Sequence, residues 1–154
     1  MHADLHATLL RVADRGVLLR GPAGSGKSLQ ALQLLEAGAA LVADDLVQLT
    51  AGAEGLSGAA PPGWDGRLAL RGAGIVDVQQ AFGGAAAWPR PQRLDWVVDL
   101  TAEAPATLPE HDQVTLLDAT LPRLRLAPRQ DHGALIRLCC RVGSAALLTW
   151  REAR

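Results

Sequence analysis

The sequence predicts an α/β domain in which a mixed, twisted sheet carries a phosphate-binding loop. Three observations point there. The run "GPAGSGKS", Gly21 to Ser28, stands between the strand-length apolar "RGVLLRG" and the helix-like "SLQALQLLEAG". Directly after it, "AALVADD" reads as a buried strand ending in two carboxylates, and further short apolar runs follow between glycine- and proline-rich stretches. A second helical pattern, "HGALIRLCCRVGSAALL", closes the chain. Phosphate-loop helix and closing helix are therefore expected to pack on one sheet.

The elements follow in chain order. "HATLLRVADRGVLLRG" gives two short strands joined at Ala13 to Gly16, with His6 at the start of the first and the second delivering the chain into the loop. The helix after the loop places Leu29, Leu32 and Leu35 on one stripe, and Gly38 terminates it. Beyond "AALVADD", the stretches "LVQLT", "RLALRG", "LDWVVDLT", "VTLL" and "LPRLRLAP" read as strands, and Asp131 as the N-cap of the closing helix. "AGAEGLSGAAPPGWDG", "GGAAAWPRPQR" and "AEAPATLPEHDQ" resist regular structure and read as surface loops, either closing over a substrate or merely connecting elements.

Size and composition limit the function classes. The 154 residues suit one domain, 1–154, with a substantial core. A net charge of −1 gives no general field toward nucleic acid or anionic membrane, so neither is expected as a partner. No apolar stretch reaches membrane-span length and "MHADLHATLL" lacks a signal-peptide pattern, which predicts a cytoplasmic protein. Cys139 and Cys140 are adjacent and alone; they read as small core residues of the closing helix in a reducing compartment.

The loop is chemically legible. Its glycines, Gly21, Gly24 and Gly26, let successive N–H groups turn inward toward phosphate oxygens, and a helix starting there aims its dipole at the anion. Gly21, Pro22, Ala23, Gly24, Ser25, Gly26, Lys27 and Ser28 are therefore the nucleotide-binding candidates, with Lys27 at the β and γ phosphates and Ser28 as a Mg²⁺ ligand. Of fifteen basic residues Lys27 is the only lysine, which suits a compact charge placed on a phosphate. Asp44 and Asp45, at a strand end after the loop helix, supply a metal-side carboxylate and a base that takes a proton from an attacking hydroxyl. The residues alone do not say which aspartate does which.

The ordered set "GPAGSGKS", "LLEAGAALVADDLV", "GAAPP" and "LALRGAGIVDVQQAFG" resembles the catalytic domain of HPr kinase/phosphorylase. That family carries a phosphate loop, an "R-G-H-R-L-V-A-D-D" segment, an "A-P-P" turn and an "L-E-I-R-G-L-G-I-I-D-V" signature in the same order. The resemblance implies an HPr kinase/PEP carboxykinase-like fold. It also implies a Mg²⁺- and ATP-dependent serine kinase of an HPr-like phosphocarrier of the phosphotransferase system, with phosphorylase activity in reverse and pyrophosphate as donor in some members. Catalytic roles carry over to His6, Lys27, Asp44, Asp45 and Arg71, and metal binding to Ser28 and Asp45. For Arg71, packing is an equally weighted explanation. "LAPRQDHG" loosely matches a loop linked to dephosphorylation.

Two departures bear on activity: Ala69 stands where the signature has glutamate, and Thr107 where an active-site arginine is expected. They keep open a nucleotide-binding regulatory module with weakened catalysis. The resemblance is to truncated alphaproteobacterial forms, without the large N-terminal domain or extended C-terminal helix. Family members form hexamers, while for this chain monomer, dimer and larger homo-oligomer remain equally open.

Overall fold

Strand β2 (Thr8–Val12) turns into β3 (Arg15–Arg20) through Ala13 and Asp14, whose φ angles of 48° and 66° give the two-residue hairpin turn that matches strand twist. This hairpin is the centre of a computed structural model that describes residues 1–103 and 112–143. On one side β2 pairs antiparallel with β4 (Ala40–Ala43). On the other, β3 runs parallel to β9 (Gln92–Leu100), which in turn runs parallel to β11 (Ala119–Leu126).

The remaining strands extend this frame antiparallel. β1 (His2–Leu5) pairs with β5 (Val47–Gly52), β5 with β6 (Gly55–Ala59), and β6 with the start of β9, while β10 (Asp112–Leu116) pairs with β11. The result is a mixed nine-stranded sheet. A separate hairpin, β7 (Arg67–Leu70) and β8 (Gly74–Asp77), leads into the short helix α2 (Val78–Phe82).

Alternation along the central strands divides the core in two. Leu10, Leu19 and Val98 face a cluster with Leu34 and Leu35 of α1 (Lys27–Glu36) and Ile136, Cys139 and Cys140 of α3 (Gly133–Val142). Their neighbours Leu9, Leu18 and Val97 face a second cluster closed by Val47, Leu49 and Leu56, so the curled sheet covers its own other face. Burial pushes the Cys139 thiol up to about 11 and, with the added charges of Cys139 and Asp95, that of Cys140 to about 12. Both are packed, protonated side chains.

The structure departs from the sequence reading at several elements. β6 lies in a stretch read as loop because its side chains are small; Gly58 must be, since a Cβ there would stand 2.7 Å from Leu9 Cδ2 and 2.8 Å from Val47 Cγ1. On α1 the buried stripe is Gln30, Ala31, Leu34 and Leu35, while Leu29 is 51% exposed. His6 occupies the bend between β1 and β2 rather than a strand. The N-cap of α3 is His132, with Asp131 one residue earlier accepting the Gly133 N–H at 2.8 Å. "RLALRG" does form a strand, outside the main sheet. Thr107 and the predicted helical residues after Gly143 lie outside the described residues.

An aspartate–arginine ladder ties the last strands to β3. Asp99 accepts from Arg20 at 2.7 and 2.8 Å, and Arg123 bridges Asp99 and Asp112. Burial opposes ionisation of Asp112, but the Arg123 bond, the Gln113 N–H and the charges of Arg123 and Arg125 outweigh it and hold the carboxyl below its ordinary range.

Gly16 marks the tightest point of the β3–β9 pairing: a Cβ there would fall well inside contact distance of the Arg93 carbonyl oxygen. That obstacle is backbone and cannot swing aside. Gly16→Ala is expected to destabilise the fold by at least the roughly 1–3 kcal/mol of core overpacking. A urea midpoint unchanged from wild type would contradict this packing.

Candidate phosphate-binding cleft

The loop from Gly21 to Ser28 joins the end of β3 to the first turn of α1. Its glycines are sterically required. A Cβ on Gly21 would stand 2.5 Å from Ser25 Oγ and 2.9 Å from the Leu100 carbonyl, and Gly24 and Gly26 hold φ angles of 82° and 96° that other residues rarely adopt. The Ser25 N–H closes the turn on the Pro22 carbonyl at 3.0 Å. Gly26 caps α1 without a side-chain bond, so the first N–H groups of a ten-residue helix face the cleft with its dipole behind them. Lys27 Nζ donates to the Gly21 carbonyl at 2.6 Å, folding the ammonium over the loop.

The underside of the loop is braced by the segment before α3. Arg129 N–H donates to the Ser25 carbonyl at 2.9 Å and its guanidinium to that of Gly24 at 3.4 Å. A buried amide holds this segment: Gln30 Oε1 accepts the His132 N–H at 2.8 Å, and Gln30 Nε2 reaches Asp131 at 3.4 Å. Sequence reasoning missed Gln30 and Arg129. The one usable signal was a glutamine inside the apolar register of α1.

Opposite the loop stand the two aspartates. Asp44 is half-buried at the end of β4, its Oδ1 accepting from Thr8 Oγ1 at 2.7 Å and its Oδ2 from the Ala69 N–H at 2.8 Å. Asp45 is exposed, with a φ of 67° in the left-handed region. His6 Nδ1 lies 3.2 Å from the Asp45 carbonyl oxygen and 3.9 Å from its Oδ1.

Loop, aspartates and hairpin enclose a cleft of about 870 Å³. Lys27, Ser28, Asp44, Asp45 and Arg71 all line it. So does Ala69, whose side chain is exposed to the cleft rather than buried. Arg71 Nη1 stands 3.9 Å from where a Gly24 Cβ would be, over the loop. Of the residues singled out in the sequence, His6, Gly21, Pro22 and Ser25 do not line this cleft; His6 stands beside Asp45.

This donor set fits a magnesium–nucleotide complex. Ser28, Asp44 and Asp45 offer hard oxygens, and among the described residues no three His, Cys, Asp or Glu side chains converge into an all-protein metal cage. Magnesium is ordinarily bound by one or two carboxylates together with substrate phosphates and water. The buried Ser25 hydroxyl within the loop has no partner among the described residues.

Comparison with known proteins identifies the family and the fold. Residues 1–127 match the family described as HPr Serine kinase C-terminal domain. The chain is 37% identical over 138 residues to an HPr kinase/phosphorylase of Geobacillus thermodenitrificans, covering 86% of this chain and 44% of that protein. It is 36% identical over 137 residues to one of Caldicellulosiruptor bescii, covering 85% and 44%. The chain thus spans less than half the length of these curated relatives. A solved structure, the Hpr(Ser) kinase/phosphatase from Coxiella burnetii, superposes with a TM-score of 0.81 at 27% identity, covering 90% of this chain and 88% of that one.

Proposed function

Because the chain belongs to the HPr serine kinase C-terminal domain family, we propose that it is a Mg²⁺- and ATP-dependent kinase that phosphorylates a serine of an HPr-like phosphocarrier and runs the reverse, phosphorolytic reaction with inorganic phosphate. One observation carries this reading: a single cleft joins a helix start without a side-chain cap, bearing Lys27 and Ser28, to a carboxylate fixed by two hydrogen bonds. The residues 1–154 act as one catalytic domain working in the cytoplasm. No helix among the described residues is long and apolar enough to cross a membrane.

The N–H groups of the loop and the first turn of α1 cradle the donor's phosphates, and Lys27 leaves the Gly21 carbonyl to place its charge on them. Arg71, poised over Gly24, supplies a second cation from the hairpin side. Ser28 and Asp45 would hold magnesium, which when bound neutralises charge on the phosphates. Asp44, whose orientation is fixed, takes the proton of the serine hydroxyl as its oxygen bonds to the γ phosphorus and the phosphoanhydride bond to ADP breaks. In reverse it returns that proton. His6 steadies Asp45 from the rim.

A second reading, a nucleotide-binding regulatory module, rests on Ala69, which leaves the cleft without a carboxylate at that position. Both readings require bound nucleotide. Only the first requires transfer.

Incubating the protein with radiolabelled ATP, Mg²⁺ and HPr should label one serine of HPr. Asp44→Asn/Asp45→Asn should abolish labelling in a variant that still folds, with a lowered melting temperature because an amide at position 44 keeps one acceptor oxygen for two donors, Thr8 Oγ1 and the Ala69 N–H. Undiminished labelling by the double variant would remove both aspartates from the mechanism. Binding without labelling by wild type would favour the regulatory module.

Ala69→Glu places a carboxylate in the cleft without burying it. The variant should fold as wild type and reach half-maximal labelling at less Mg²⁺, by about 10-fold or more if the gain matches other outer-shell metal contacts. A well-folded variant with an unchanged Mg²⁺ requirement would mean that residue 69 is not a metal-side position.

A further inference from the structure

Thr8 is the one polar side chain in the buried run from Ala7 to Leu10, and it is completely buried. A hydroxyl in such a place is costly unless bonded. Its partner is not a backbone group but Asp44 Oδ1, at 2.7 Å, across the antiparallel pairing of β2 with β4. The distance is that of a charge-assisted bond, and the β-branched side chain has few rotamers in which to lose it.

The other oxygen of the same carboxylate accepts the Ala69 N–H at 2.8 Å, from a hairpin outside the main sheet. Two donors on independent elements therefore fix the plane of Asp44. Asp45, one residue on, has no such partners among the described residues and is exposed. The difference between the neighbouring aspartates originates in Thr8 and Ala69, not in the aspartates themselves.

We propose that Thr8 is a positioning residue for phosphoryl transfer: from inside the core it sets the orientation of the Asp44 carboxylate toward the acceptor hydroxyl. The inference rests on the role given to Asp44 above. It assigns Thr8 a contribution to the transfer step and none to nucleotide binding, because Thr8 lies behind the carboxylate and outside the cleft lining.

The test compares Thr8→Val, Thr8→Ala and Thr8→Ser with wild type in the HPr labelling assay, alongside nucleotide affinity and the exchange rate of the Ala69 amide proton. Ala69 donates to Asp44 and not to the ladder, so that amide reports on the carboxylate directly. Removing the hydroxyl with Val or Ala should lower kcat about 10- to 100-fold, the usual cost of losing a supporting contact. Ala69 exchange should accelerate, while nucleotide affinity stays at the wild-type value. Thr8→Ser, which keeps the hydroxyl, should restore most of kcat and the slow exchange. Wild-type kcat in a folded Val or Ala variant, or a Ser variant as impaired as Val, would overturn the proposal. If wild type itself transfers nothing, the kinase reading fails separately, and the exchange rates alone decide whether Thr8 orients Asp44.

Discussion

The cleft depends on one carboxylate holding two pieces of structure together. The β7–β8 hairpin shares no ladder with the main sheet. The Val78 N–H on the Gly66 carbonyl at 2.9 Å closes its open end, and it is attached by Leu68, fully buried in the α1-side core, and by the Ala69 N–H on Asp44. Only the last of these is at the mouth of the site. Arg71 stands over Gly24 because the hairpin is pinned two residues earlier.

The loop itself is shaped from below. Gly21 passes so close to Ser25 and Leu100 that no side chain fits, and Arg129 holds the carbonyls of Gly24 and Ser25 on the far side. With those carbonyls engaged outward, the N–H groups at the start of α1 are left to the cleft. Gln30 anchors the bracing segment from inside the helix, so the same ten-residue element presents a start without a side-chain cap at one end and a buried polar clasp one turn later. Polar groups of this kind rigidify a site when every member is bonded.

Much of this was legible in the sequence, for identifiable reasons. The loop from Gly21 to Ser28 announces itself because its turns need glycines at fixed spacing, and β4 because a strand buried on both faces is a continuous apolar run. Order and spacing of four motifs sufficed to indicate the family to which residues 1–127 belong. What escaped depends on distant neighbours. Thr8 and Gln30 look like interruptions of apolar patterns until Asp44 and His132 are seen beside them. β6 is hidden because Gly58 must be small against Leu9 and Val47, and Leu29 is outside because α1 turns Gln30 toward the loop brace instead. His6 gives no local sign that a bend, not a strand, carries it to Asp45.

The central claim is that magnesium nucleotide binds between the loop and the hairpin. The most direct measurement is the set of backbone amide shifts in isotope-labelled protein titrated with ATP and Mg²⁺. The account expects the largest changes at residues 21–28 and at Arg71, Ala73, Gly74 and Ile75, with little change in β10 and β11 and with loss of the effect in Lys27→Ala. Saturating nucleotide that moves none of these amides, or that instead shifts those around Arg137 and Arg141 of α3, which line a separate pocket with Ala37 and Gly38 just after α1, would contradict it.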